Sequence, residues 1–235
     1  MRELMAQFAT TDTAPERALP LNWNIAPTNP IYIVRDSRDI VRGAQPELAI
    51  VSWGLIAPWL TDLPEAKASQ SRAINARSES IHEKPTFRSA FRSTRCLIPA
   101  AGYYEWATAL GKYPPKQPFY ICARDGKQLP IAGIWSSWTA PSGEKIETAA
   151  IITQQAQGEL ATIHSRMPVF LPPDRWDIWL NPRNTASTQL QSLMVVKDPD
   201  LLVIARPVSR SVNSVVNNGK ELTIETPLGE PETLF

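Results

Sequence analysis

Two histidines, one glutamate in an aromatic run and one Asn–Arg pair are the residues of this chain that could move protons or grip an anion. His82 lies beside Glu83 and Lys84 in a polar stretch and reads as a surface residue. His164 closes the apolar turn 160–163 and opens the run His164-Ser165-Arg166-Met167-Pro168. A histidine there is either a structural cap or a proton carrier, because its ordinary pKa lies near neutrality. Glu105 sits in Gly102-Tyr103-Tyr104-Glu105-Trp106. Strand alternation puts Tyr103 and Glu105 on one face and Tyr104 and Trp106 on the other. A carboxyl among aromatics is either a rim residue or a desolvated acid suited to proton transfer. Asn75 and Arg77 alternate within Ile74-Asn75-Ala76-Arg77-Ser78-Glu79. On one face they can grip a phosphate and orient a polar substrate, or they can pin a loop. Trp53 and Trp59 flank the turn 54–58, and a tryptophan so placed is either core or a stacking platform for an unpaired base.

These residues need a scaffold of short elements. The 22 prolines break long helices and favour fixed turns. Strand-like runs occur at 31–34, 48–53, 95–98, 102–108, 118–122, 129–138 and 147–153, with a late strand at 201–205. Met1, Leu4, Met5 and Phe8 recur at helical spacing, and further short helices are expected at 87–92, 158–163, 174–180 and 188–194. Residues 54–73 read as a Pro-broken loop. No repeat or composition break divides the chain. The expectation is one α+β domain over 1–221, built on a mostly antiparallel, curved, barrel-like sheet with short helices, then a loosely ordered tail over 222–235.

Composition narrows the classes. With 235 residues, 43% of them hydrophobic and 20% charged, the chain can bury a core without disulfides or metals. Its longest apolar runs, 97–101 and 149–152, are far too short to cross a bilayer. No apolar leader opens the chain. Cys96 and Cys122 lie in apolar strand-like segments without metal-ligand spacing, so both read as reduced, buried small hydrophobes. A thiol hydrolase built on either one with His164 is disfavoured, since an apolar strand opposes a thiolate. No metal or organic cofactor is expected, because no ligand cluster exists. The expected location is the cytoplasm and the expected state a monomer. The net charge of +1 neither requires nor forbids a nucleic-acid partner.

Taken in order, seven blocks resemble one family. They are Asn24-Ile25-Ala26-Pro27-Thr28, Trp53-Gly54-Leu55-Ile56-Ala57-Pro58-Trp59, Ile74-Asn75-Ala76-Arg77-Ser78-Glu79, Arg95-Cys96-Leu97-Ile98-Pro99-Ala100, Gly102-Tyr103-Tyr104-Glu105-Trp106, Ile163-His164-Ser165-Arg166-Met167-Pro168, and Pro207-Val208-Ser209 followed by Asn213. The family is that of SOS-response-associated peptidases, or abasic-site processing proteins. The resemblance implies binding of single-stranded DNA containing abasic sites. It also implies covalent attachment to the ring-opened aldehyde by a cysteine behind the initiator methionine, exposed by autoproteolysis. The α-amine forms an imine and the thiol closes a thiazolidine. Glu105, His164 and Asn75 are then the implied catalytic residues. Arg77, Arg166, Trp59, Asn24 and Ser209 are the implied DNA contacts.

The start departs from the family. Family members open Met-Cys-Gly-Arg-Phe or similar, whereas this chain opens Met1-Arg2-Glu3-Leu4-Met5, inside a helical pattern with no cap. The expectation is that Met1 lies within the native first helix and that the cysteine is encoded upstream. The alternative is a non-catalytic module that has lost its nucleophile and only binds single strands.

Overall fold

The computed structural model describes residues 1–10, 15–37, 45–108, 112–196 and 198–228. Its strands, in chain order, are β1 (Pro30–Asp36), β2 (Pro46–Trp53), β3 (Asn75–Arg77), β4 (Arg95–Ala100), β5 (Gly102–Trp106), β6 (Pro118–Ala123), β7 (Leu129–Thr139), β8 (Lys145–Gln155), β9 (Arg166–Pro168) and β10 (Val203–Pro207). The α-helices are α1 (Arg2–Gln7), α2 (Leu63–Arg72), α3 (Pro85–Ser93), α4 (Trp176–Leu180) and α5 (Ser187–Leu193).

Five strands close on themselves. β1 pairs antiparallel with β2 and β4, β4 with β7, and β7 with β8. β8 returns to β2 in parallel through Ser52↔Thr148 and Trp53↔Ala149. Closure leaves these strands without a free edge. The far end of β8 is flanked by β3 in parallel and by β9 antiparallel. A second sheet, β10-β6-β5, carries Glu105. The expected α+β domain with a curved, barrel-like sheet is therefore present.

Ile33, Val34, Leu97, Ile134, Ala150 and Ile152, on the two faces of the barrel strands, are wholly excluded from solvent, and each large side chain contributes about 1.5–3 kcal/mol. Gly133 on β7 faces the Cys96 sulfur and the Ile98 side chain, where a Cβ would not fit. Outside, α3 and α4 cover β4 through Phe91, Trp179 and one buried cation. Arg95 is 2% exposed. Its guanidinium donates to the carbonyls of Phe91 and Arg92 at the end of α3, of Trp179 at the end of α4, and of Asn181 and Asn184 in the segment that follows. Burial pulls its pKa down to about 10.

Three expectations are revised. Residues 63–72 form a helix rather than a loop. The Asp62 carboxylate accepts from the Glu65 N–H, and Pro64 occupies the first turn, where no N–H is needed. Cys122 is half-buried on β6 and not fully buried like Cys96. Within the tail expected from 222, Leu222 is buried, Glu225 bridges to Val208 and the Thr226 N–H donates to Pro207. Residues 229–235 lie outside the described residues. At the other end, α1 forms where the spacing placed it. Phe8 stacks on Trp176 at 4.9 Å, and Gln7 exchanges two hydrogen bonds with the Gln128 main chain.

Candidate active site

Glu105 and His164 reach one another from separate parts of the fold. On β5, alternation sends Tyr103 inward against Phe170, at 6.4 Å between ring centres. The opposite face is anchored by Tyr104, whose hydroxyl donates to the Trp23 carbonyl, and by Trp106, whose Nε1 donates to Asn213 Oδ1 at 2.7 Å. Both anchors fix the strand and so the direction of Glu105. His164 follows the single 3₁₀ turn Gly158–Thr162 and donates its main-chain N–H to Leu160. That turn is held by Asp200, whose carboxylate accepts from the Glu159 N–H at 3.0 and 3.1 Å.

Glu105 Oε2 stands 3.6 Å from His164 Nδ1. This is longer than a hydrogen bond but close enough for strong electrostatic coupling. Nδ1 instead sits against the Arg166 main chain, 3.1 Å from the N–H, which can donate to it, and 3.3 Å from the carbonyl. The two side chains remain 26% and 31% exposed, so both are reachable from solvent. Burial pushes the Glu105 carboxyl above its ordinary range, while His164 and the Trp106 N–H oppose that rise. Such a carboxyl exchanges protons closer to neutrality than an exposed glutamate.

Asn75 and Arg77 flank buried Ala76 on β3, and both are exposed. Their side chains make no hydrogen bond or ion pair among the described residues. β3 is aligned by Ile151 and Thr153 of β8 and by Trp53, whose Nε1 donates to the Ile74 carbonyl. Arg77 lies opposite Thr153, whose carbonyl also accepts from Arg166 at 2.7 Å. A chain of contacts thus runs from β3 through Thr153 and Arg166 to His164. No direct contact joins Asn75 to Glu105 or His164.

Other expected DNA contacts are committed elsewhere. The Arg166 guanidinium is engaged bidentately by Glu79, at 2.7 and 2.9 Å. The Asn24 amide donates to the carbonyls of Val212, Ser214 and Asn217 and staples that loop. Ser209 Oγ accepts from the Ser211 N–H and caps the turn Arg210–Asn213. These bonds give all three side chains a part in holding the fold around the site. Trp59 stays 51% exposed. Its loop is tied through Ile56 to Thr148 and Ser136, and through Leu60 to Trp138. Thr153 was not singled out from the sequence, and Glu79 and Asn213 stood in the family blocks without a role of their own. Glu79 lies 87 positions from its partner, and no local pattern marks such a pair. Among the described residues no group of three His, Cys, Asp or Glu side chains could hold a metal ion.

Comparison with known proteins agrees with this architecture. Residues 1–215 match the SOS response associated peptidase (SRAP) family. The chain is 36% identical over 221 residues to the abasic site processing protein YoqW of Bacillus subtilis, covering 94% of this chain and 93% of that one. It is 30% identical over 201 residues to the abasic site processing protein HMCES of Gallus gallus, covering 77% of this chain and 58% of that one. A crystal structure of a Bacteroides thetaiotaomicron protein superimposes with a TM-score of 0.80 at 25% identity, covering 95% of this chain and 96% of that one. With matching blocks, matching fold and relatives of this similarity, the chain belongs to the SRAP family.

Proposed function

We propose that the protein processes abasic sites in single-stranded DNA, with Glu105 and His164 as proton carriers, Asn75 orienting the opened sugar and Arg77 holding a backbone phosphate. One observation carries the reading: a half-buried Glu105 meets His164 at 3.6 Å, with the exposed Asn75–Arg77 strand across β8 from the strand that follows His164, in a chain whose relatives are named for abasic-site processing. The opened sugar presents an aldehyde. An amine adding to its carbon gives a carbinolamine, whose hydroxyl leaves as water once protonated, a task for a carboxyl whose proton burial helps to retain. Addition of a thiol to the resulting imine closes a thiazolidine. By the family resemblance, the amine and thiol belong to an N-terminal cysteine, and Glu105 also assists removal of the methionine before it. We place the protein in the cytoplasm as a monomer; no described helix is long and apolar enough to cross a membrane.

A second reading, a module that binds such strands without attaching, is favoured by the thiols of the described residues. Cys96 is fully buried, and burial pushes its thiol far above the ordinary range. Cys122 pairs with Gly102 at the opposite end of β5 from Glu105. The deciding experiment incubates protein from its natural source with a labelled abasic strand and runs a denaturing gel. A shifted band that survives denaturation supports attachment. A complex seen only on a native gel supports binding alone. Absence of any complex selective for the abasic strand refutes both.

A further inference from the structure

The Glu79–Arg166 pair has no task in the chemistry above, yet it is built with care. Glu79 follows β3 and Arg166 begins β9, and these strands flank β8 on opposite sides. The guanidinium reaches across β8. Nη1 donates to Glu79 Oε1 at 2.7 Å, and Nη2 donates to Glu79 Oε2 at 2.9 Å and to the Thr153 carbonyl at 2.7 Å. Nε is buried without a partner. Swinging this group out would break all three bonds, and a forked Arg–carboxylate pair resists rotation as well as separation.

We propose that Glu79 is a positioning residue that works through Arg166 to hold His164 as its Nε2–H tautomer; this rests on the functional reading of the Glu105–His164 site. The clamp fixes residue 166, whose main-chain N–H donates to His164 Nδ1 at 3.1 Å. The turn is closed by the Ala156 N–H on the Ser165 carbonyl and by the Gln155↔Arg166 pairing. A ring nitrogen that accepts a hydrogen bond carries no proton, so the neutral ring keeps its proton on Nε2. Two acceptors favour the other tautomer, Glu105 Oε2 at 3.6 Å and the Arg166 carbonyl at 3.3 Å from the same Nδ1, but both are longer contacts than the 3.1 Å one from the Arg166 N–H. The Arg166 N–H decides between them. It leaves Glu105 and His164 as two separate proton carriers instead of one hydrogen-bonded dyad.

The test reads the tautomer directly. The full chain is labelled with 15N-histidine and its two-bond nitrogen–proton correlations are recorded in mildly alkaline buffer, without DNA. With only two histidines in the chain, His82→Gln assigns the signals. The wild-type protein should show His164 Nδ1 unprotonated and Nε2 protonated. In Glu79→Gln the ratio of Nδ1–H to Nε2–H forms should rise about tenfold, as loss of a charge-assisted fork allows. Glu79→Asp, which keeps the carboxylate with a shorter reach, should restore part of the wild-type ratio. If Glu79→Gln fails to fold, Arg166→Lys, which keeps the charge and gives up the fork, reads the same change. A wild-type ring protonated at Nδ1, or a folded Glu79→Gln protein with an unchanged ratio, overturns the proposal. Since no DNA is present, either result leaves the abasic-site reading standing, and failure of DNA binding leaves this one standing.

Discussion

Two arginines flank Thr153 of β8, and their different electrostatic states give a sharp prediction for strand binding. Arg77 is exposed and makes no ion pair among the described residues, whereas Arg166 is paired in a fork with Glu79. That pairing holds the Glu79 carboxyl down at about 2, so it stays ionised and keeps Arg166 neutralised throughout the ordinary pH range. Each phosphate neutralised on a single strand adds about 0.7 to the slope of log affinity against log salt. Arg77→Ala should therefore flatten the slope by about 0.7, so that raising salt fourfold costs the variant about 2.6-fold less affinity than it costs the wild type. Arg166→Ala should leave the slope unchanged. Glu79→Gln, which removes the counter-charge, should steepen it by about 0.7. The assay is fluorescence anisotropy of a labelled single strand with intact sugars, titrated at several salt concentrations. If Arg166→Ala flattened the slope as much as Arg77→Ala while its melting temperature stayed normal, the charge assignment would be wrong.

Other outcomes follow from the framework. Arg95→Met takes a donor from five carbonyls, and urea unfolding should show a loss of about 3 kcal/mol, since the bonds to Phe91 and Trp179 are buried. Gly54 joins β2 to the Trp59 loop at φ +110°, and a Cβ there would strike the Gln70 carbonyl. Gly54→Ala should lose about 2–3 kcal/mol by thermal melting; an unchanged melt would show that the turn relaxes freely. Glu105 has a folded-state pKa above its ordinary value of 4.5, mainly through burial. The fold thus disfavours the ionised form, and this costs stability above the ordinary carboxylate range, with relief as pH falls through it. Glu105→Gln should be the more stable protein at neutral pH, with the two unfolding curves converging in acid. A gap that widened in acid would reverse the assignment.

The barrel strands were legible because each is an apolar run bounded by turn residues, and β5 declared its two faces by simple alternation. Closure of β8 onto β2 was not legible, since no local pattern announces a parallel contact of two residues a hundred positions apart. Helix α2 was hidden for another reason. Only Ala66 of it is buried, so it carries no apolar period, and Pro64 looked like a breaker while serving as a helix start. At the site, Glu105, His164, Asn75 and Arg77 stood out by residue type and by family blocks. What the types could not reveal is which polar groups are already satisfied. Asn24, Ser209 and Arg166 carry donors or acceptors suited to a DNA strand, and in the fold they also bond to loop 212–217, the turn Arg210–Asn213 and Glu79. Such pairings join residues far apart in the chain, and only the folded topology brings them together.

The central claim is that the Glu105–His164 pair recognises an abasic site rather than DNA in general. It is tested most directly by native-gel competition between two single strands identical except for one abasic position, using wild-type protein and the Glu105→Ala/His164→Ala double variant. The account predicts that the wild type holds the abasic strand about tenfold more tightly, a difference of about 1.4 kcal/mol, and that the double variant loses the preference while keeping its affinity for the intact strand. Equal affinity of the wild type for both strands would contradict it.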